Sequence, residues 1–300
     1  MEKKKILITG ASGFLGYHLL RMAHARGLEV YGLYHSGHIS FDQSTNLEVD
    51  LRNYIDMGNI IDDIEPDVVI HAAALADGNL CQDNKDLSYE LNVEVTRNLA
   101  GICSDFQIPF VFTSTDLVFD GRKGGYTEED VPDPLMVYGE HKLLAEHEVE
   151  RVYPSGLIVR CPLMFGQPEA SARNYFSLFL QSLREGKASK LFRDEYRSIC
   201  GARSVAEGIL LVCEEVSGLL HIAGNARVSR YEFGEAIAEV FGLDQSLLQS
   251  CSQQDVQMAA PRPADVSLNI DKALSLGYAP LTYREELMLI AAGRYFNPQL

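Results

Sequence analysis

The chain predicts an α/β fold: a Rossmann-type doubly wound parallel sheet with a smaller α/β substrate-binding lobe. Three observations carry that prediction. Short apolar runs alternate with longer helical stretches through the first half, the pattern of βαβ units around a parallel sheet covered on both faces. A glycine-rich turn, Gly10-Ala11-Ser12-Gly13-Phe14-Leu15-Gly16, follows the first apolar run directly and opens the first helical stretch. After about Arg160 the alternation becomes irregular, as expected of a lobe that covers the mouth of the sheet.

Taken in order, Ile6-Leu7-Ile8 reads as a buried strand and Phe14 to Arg26 as a helix stopped at Gly27. Val30 to Leu33 is a second strand. Tyr54 to Asp63 is helix-like and leads into the strand Asp67 to Ile70. Leu87 to Cys103 reads as one long helix, followed by the strand Phe110 to Phe112. Tyr138 to Arg151 is helical, and Gly156 to Val159 is a further strand. The expected division is a dinucleotide-binding domain over residues 1–160, with a returning segment near 198–224. Residues 161–197 and 225–300 then form the lobe. No internal repeat and no low-complexity linker interrupts the chain.

Composition bounds the partners. The net charge of −16 over 300 residues argues against nucleic acid and anionic membranes, which need basic patches. A small anionic ligand remains compatible, because local amides and arginines can hold it. The six cysteines are widely spaced with no CxxC, so reduced thiols, no metal site and a cytoplasmic protein are expected. No signal peptide is expected, since Lys3-Lys4-Lys5 is followed by only five residues before Gly10, and no run approaches a membrane span.

The glycine turn has the order a dinucleotide needs: strand, tight turn, helix. Glycines let the backbone approach a pyrophosphate, and the helix N-terminus offers it free N–H groups. An acid at the tip of the second strand would bind a ribose 2′-hydroxyl and favour NAD. That tip reads Leu33-Tyr34-His35-Ser36, with no carboxylate. His35, Ser36 and His38 could meet a 2′-phosphate or form a solvated polar loop. NADP(H) is therefore the preferred cofactor, with NAD(H) possible.

Tyr138 and Lys142 stand four residues apart, so a helix puts phenol and ammonium on one face. A cation within about 4–6 Å lowers a phenol's pKa by roughly 1–3 units, which would make the pair a tuned general acid.

These residues, with His71-Ala72-Ala73-Ala74, Leu91-Asn92-Val93, Ser114 to Gly121, His221-Ile222-Ala223-Gly224 and Arg262-Pro263, carry a resemblance. The chain resembles the extended short-chain dehydrogenase/reductase family, and within it the dTDP-4-dehydrorhamnose reductase-like sugar-nucleotide reductases. The resemblance implies that Tyr138 donates a proton to the substrate carbonyl. Lys142 would bind the nicotinamide ribose and lower the phenol pKa, and Thr115, just beyond its strand, would hydrogen-bond the carbonyl oxygen. Cofactor contacts would come from Gly10, Ser12, Gly13, Phe14, Leu15, Gly16, His35, Ser36, Leu51, Ala72, Ala73 and Ala74. Asp50 would meet the adenine amino group, or serve only as a loop or cap residue. Asn92 would steady the active-site backbone, or be a satisfied core amide; Arg160 to Leu163 would pass beside the nicotinamide. Asp116, Val118, Leu163, Asn174 and Arg197 would face the substrate, with Arg197 against a diphosphate or in a surface ion pair. His71 reads as a satisfied core histidine. A homodimer is the family's usual assembly.

The pattern departs from the family in the lobe. Leu163 stands where a Trp is expected, and the chain has none. Tyr196-Arg197-Ser198-Ile199-Cys200 replaces a Gly-Ser/Ala-Pro-Thr run, and Leu117 replaces the motif tyrosine. The expected activity is reduction of a keto group on a nucleotide-linked sugar or similar carbonyl compound. Two alternatives stand beside it. One is a silent cofactor-binding regulatory subunit, resembling the methionine adenosyltransferase β subunit. The other is a sugar-nucleotide epimerase or dehydratase, disfavoured because dehydratases usually add a Glu beside the Asp that follows the catalytic Thr.

Overall fold

A computed structural model describes residues 3–37, 39–167, 174–256 and 261–296. The first half runs β1 (Lys5–Thr9), α1 (Phe14–Ala25), β2 (Glu29–Tyr34), β3 (Thr45–Glu48), α2 (Tyr54–Ile64) and β4 (Val68–His71). Then come α3 (Gly78–Asp83), α4 (Lys85–Tyr89), a π-helical turn (Glu90–Glu94), α5 (Val95–Asp105), β5 (Phe110–Thr115), α6 (Val137–Val152) and β6 (Leu157–Cys161). The second half holds β7 (Met164–Phe165), α7 (Tyr175–Arg184), β8 (Ser189–Phe192), β9 (Tyr196–Arg197), β10 (Cys200–Gly201) and α8 (Ala202–Val212). It ends with β11 (Gly218–His221), β12 (Val228–Ser229), α9 (Arg230–Val240), β13 (Leu248–Cys251), α10 (Asp271–Ser275) and α11 (Tyr283–Ala291).

Seven parallel strands form one sheet in the order β11-β6-β5-β4-β1-β2-β3. The order reverses between β1 and β4, the place where open α/β sheets bind ligands at their carboxyl ends. Alternation along each strand sends side chains to two cores. Ile6, Ile8, Val68, Ile70 and Val111 pack against α1 and α8 on one face. Leu7, Val69, Phe110, Phe112 and Ile158 pack against α2, α5 and α6 on the other. A third core, built from Phe165, Phe176, Phe179, Leu191, Phe233 and Leu287 among others, joins α7, α9 and α11 to the short strand pairs β7–β10, β8–β13 and β9–β12.

The structure lengthens several predicted elements. Ser114 and Thr115 are the last residues of β5 rather than residues beyond it, because both are buried and paired to β6. Arg160 and Cys161 likewise end β6. The long helix expected from Leu87 is helical from Lys85 to Asp105 but carries the π-helical turn in its middle. Asn92 lies in that turn, where its amide leaves the helix to grip a loop. β3 was absent from the prediction; it is short and half exposed, so no apolar run marks it.

Candidate active site

Gly10 turns the chain at the end of β1 with φ +67, and a Cβ there would stand 2.6 Å from the Ala73 backbone. A Cβ on Gly16 would stand 2.1 Å from the Gly10 carbonyl oxygen, so only glycine lets α1 begin this close to β1. Gly13 occupies the N-cap position without a side-chain cap, and the first turn holds no acid. The amides at the start of α1 are thus left for an anion. Ser12 spans the gap to the second strand by donating to the Ser36 carbonyl at 2.8 Å. Phe14 is half-buried at this mouth, whereas the Leu15 side chain lies in the core and has only its backbone to offer. A cradle that any side chain would fill, beneath uncapped amides, suits a pyrophosphate.

His35 and Ser36 are exposed at the tip of β2; His38 lies outside the described residues. Asp50 sits near His35, and its carboxylate accepts from Arg52 Nε at 2.9 and 3.0 Å. Arg52 therefore holds Asp50 down to about 2. Arg52, two residues beyond Asp50 in the chain, places an exposed guanidinium beside it. Leu51 is half-buried in a shallow apolar groove with Tyr54, Met57 and Leu99. Ala72, Ala73 and Ala74 follow β4 directly, and the Ala73 amide donates to Thr9 Oγ1 at 3.3 Å. His71 is fully buried between Thr9 Oγ1 at 2.7 Å and Thr96 Oγ1 at 3.0 Å. Burial, aided by the Lys142 charge, holds its imidazole down at about 3. Asn92 accepts from the Leu75 amide at 2.9 Å and donates to the Leu75 carbonyl at 3.1 Å, pinning the loop that follows the alanines.

Tyr138 and Lys142 lie on α6, and Lys142 is 2% exposed with its Nζ 4.0 Å from the centre of the Phe112 ring. Cys161 is the bridge partner of Thr115 across β5 and β6, and its thiol acts electrostatically on both Tyr138 and Lys142. The phenol, the amine and the end of β5 thus share one neighbourhood. The expected lowering of the phenol by Lys142 is not what the structure contains. Burial raises the Tyr138 pKa, the Cys81, Asp116 and Cys161 charges raise it further, and Lys142 is not among the groups that act on it. Burial instead brings Lys142 down to about 7, opposed by the Glu146 carboxylate. Burial is the largest influence on both groups, and for Lys142 the Glu146 charge offsets it only in part.

Thr115 Oγ1 donates to Asp116 Oδ1 at 3.2 Å and accepts from the Leu117 amide at 3.2 Å. Asp116 Oδ2 is buried with no hydrogen-bond partner. Burial pushes this carboxyl up to about 6, against the pull of Arg197.

Two expectations about the substrate side need correction. Val118 is fully buried in the core and closed to any substrate. Arg197 is not a surface residue: it is 4% exposed and pairs with Glu195 at 3.2 Å. It also donates to the Tyr196 and Pro263 carbonyls at 2.7 and 3.2 Å, so its donors are largely committed inside. The Arg160 side chain turns onto the α6 face and pairs with Glu146 at 2.6 Å. Asn174 caps α7 by accepting from the Ser177 amide at 2.8 Å, and Leu163 is half-buried against the third core. Sequence reasoning passed over Glu146, although it stands four residues beyond Lys142 as Lys142 stands beyond Tyr138.

A cavity of about 370 Å³ elsewhere is lined by Lys123, Arg227, Asp265 and Asp271 among others and includes none of these residues. Its Lys123 pairs with Asp130 and its Arg227 with Asp265, so its cations are already spent on neighbours. Among the described residues no helix is long and apolar enough to cross a membrane.

The family profile described as "RmlD substrate binding domain" matches residues 4–294. The chain belongs to the RmlD substrate binding domain family. Within curated proteins it is 34% identical over 290 residues to a "Probable low-salt glycan biosynthesis reductase Agl14" of Haloferax volcanii, covering 95% of this chain and 96% of that one. It is 27% identical over 290 residues to the Bos taurus "Methionine adenosyltransferase 2 subunit beta", covering 94% and 85%. Among solved structures, a hypothetical dTDP-4-dehydrorhamnose reductase from Sulfolobus tokodaii superposes with a TM-score of 0.80 at 34% identity, over 90% of this chain and 94% of that one. A dTDP-4-dehydrorhamnose reductase from Bacillus anthracis in complex with NADP gives 0.85 at 22% identity, over 97% and 99%. That second likeness is one of fold. RmlD-family membership accounts for the seven-stranded parallel sheet and identifies the chain as an extended short-chain dehydrogenase/reductase.

Proposed function

We propose that this protein is an NADP(H)-dependent oxidoreductase that reduces the keto group of a nucleotide-linked sugar or similar carbonyl compound, in the manner of the dTDP-4-dehydrorhamnose reductases. The observation that carries the reading is the α6 face with Tyr138 and Lys142, turned to the carboxyl ends of β5 and β6, in a chain whose α1 begins uncapped above Gly10. The reductase at 34% identity over nearly the whole chain supports the same reading.

When bound, the dinucleotide supplies the hydride. The protein's own residues do the rest. A phenol held above its ordinary range stays protonated at neutral pH, which is the form a proton donor needs during reduction. Tyr138 gives that proton to the oxygen as alkoxide character develops. Thr115 moves its donated hydrogen bond from Asp116 Oδ1 to the carbonyl oxygen, and the Leu117 amide keeps its hydroxyl in place. Lys142 holds the nicotinamide ribose. The uncapped amides of α1 take the pyrophosphate. His35, Ser36 and the exposed Arg52 favour a 2′-phosphate over a free 2′-hydroxyl, with Arg52 also neutralising Asp50. Asp116 Oδ2, buried and unpartnered, is the acceptor for a sugar hydroxyl.

The test is NADPH oxidation across a panel of nucleotide-linked keto-sugars. Tyr138→Phe is expected to cut turnover by about 10²-fold or more, the usual worth of a positioned acid, with NADPH affinity nearly unchanged. Full activity in that variant sinks the assignment.

A further inference from the structure

Glu146 has no part in the scheme above, yet it is one of the most enclosed carboxylates in the molecule, at 2% exposure. Tyr138, Lys142 and Glu146 repeat every four residues on α6 and so form one stripe facing the sheet. Under that stripe, Ser114 of β5 and Arg160 of β6 are direct bridge partners. Phe112 and Ser114 share a face by strand alternation, as do Ile158 and Arg160. Ser114 Oγ and Arg160 Nε both donate to Glu146 Oε1, the latter at 3.0 Å, and Arg160 Nη2 donates to Oε2 at 2.6 Å. The carboxylate therefore ties the last turns of β5 and β6 to α6, one residue before Thr115 and one turn beyond Lys142.

We propose that Glu146 is a positioning residue, which fixes α6 against the ends of β5 and β6 and supplies the negative charge that Lys142 faces in an otherwise apolar surround. The groups around Lys142 leave that task to Glu146. Its own helix offers Tyr138 and Glu146; β6 offers the Cys161 thiol; β5 offers the Phe112 ring; β4 offers His71, kept neutral by burial. Cys161 is itself pushed up to about 12 by burial, so it carries no charge at neutral pH. Arg160 neutralises part of Glu146, and Ser114 adds a hydrogen bond to the same carboxylate.

The part this plays in turnover rests on the oxidoreductase reading; the electrostatic part does not, and is tested without cofactor or substrate. Lysines labelled with ¹³C at Cε are titrated by NMR in the whole protein, with Lys142→Met assigning the signal. Glu146→Gln, which keeps the shape and removes the charge, is expected to lower the Lys142 midpoint by about 1 unit or more. Glu146→Asp is expected to retain most of the wild-type midpoint. If Glu146→Gln does not fold, Glu146→Gln/Arg160→Met removes both buried charges together, an exchange that proteins commonly tolerate, and the same fall is expected there. A wild-type midpoint in either folded variant overturns the proposal, whatever the protein does with NADPH. If NADPH oxidation is also found, the alkaline limb of its pH profile moves to lower pH in Glu146→Gln and stays in place in Glu146→Asp. A purely structural role would reverse that order, since Gln keeps the side-chain length and Asp does not.

Discussion

Lys142 is an amine held almost wholly out of water, over the Phe112 ring and down at about 7. Its folded pKa lies below the unfolded value of 10.5, so charging it opposes folding. That cost is full below about pH 7 and fades as pH rises toward 10.5. Lys142→Met should therefore raise stability at pH 7 by on the order of 2–4 kcal/mol, with no gain near pH 10.5, while turnover and cofactor affinity both fall. Thermal melts at the two pH values check this. An unchanged or lower melting temperature at pH 7 would refute the picture of a strained amine. The stripe of Tyr138 and Lys142 was legible in the sequence because a four-residue spacing on a helix is a local property. Whether the lysine lowers the phenol was not legible, since burial decides it and burial is set by β5 and β6 from elsewhere in the chain. Val118 and Arg197 were misjudged for the same reason: sequence proximity to Thr115, or to the lobe's departures, says nothing about which side of a wall a side chain occupies.

The β1–α1 turn shows how far one element can be read. Gly10, Gly13 and Gly16 predicted both the turn and the start of the helix, because close backbone approach at Gly10 and Gly16 excludes a Cβ and leaves its mark in composition. Gly16→Ala is expected to drive a methyl into the Gly10 carbonyl, costing about 1–3 kcal/mol by overpacking and displacing the amides that α1 presents. Differential scanning calorimetry and an NADPH titration read the two effects; normal melting and normal affinity together would remove the turn from the cofactor site. The segment from Lys85 to Asp105 marks the limit. Its apolar period predicted a helix, but not the π-helical turn at Glu90–Glu94. That turn exists because the Asn92 amide serves the Leu75 backbone, a partner 17 residues away. The sequence marks that pairing only by an asparagine inside an apolar helix.

At the scale of the whole molecule, α11 and the residues after it are tied to α8 through Glu286. This fully buried carboxyl accepts from Ser204 Oγ and, at 2.9 Å, from the Tyr295 hydroxyl. Tyr295 in turn accepts from the Arg203 amide at 3.1 Å. Burial pushes Glu286 up to about 7 from 4.5. A raised folded pKa means that the folded state keeps a proton the unfolded chain gives up. Stability is thus unimpaired below about pH 4.5, declines as pH rises to about 7, and stays reduced above that. Glu286→Gln should abolish this decline and stabilise the protein by about 1–3 kcal/mol at pH 8, with little change at pH 4.5. Melting temperatures across that range check it, and a parallel decline in wild type and variant would assign the titration to another group. The sheet and its two faces were legible from the first half of the chain, where strands and helices alternate. The third core was not, because its strand pairs β7–β10, β9–β12 and β8–β13 are two to four residues long and join distant segments.

The sheet order has a consequence for how the chain is made. β6 pairs on its outer side with β11, in register from Leu157 opposite Gly218 to Arg160 opposite His221. On a ribosome, β1 through β6 emerge and can close around α1 to α6 well before β11 arrives. Until then the edge of β6 lies open, apolar at Leu157, Ile158 and Val159, beside the buried charge of Arg160. An open apolar edge is a template for another chain. The nascent protein is therefore open to mispairing at the β6 edge from the time β6 is exposed until Gly218–His221 docks.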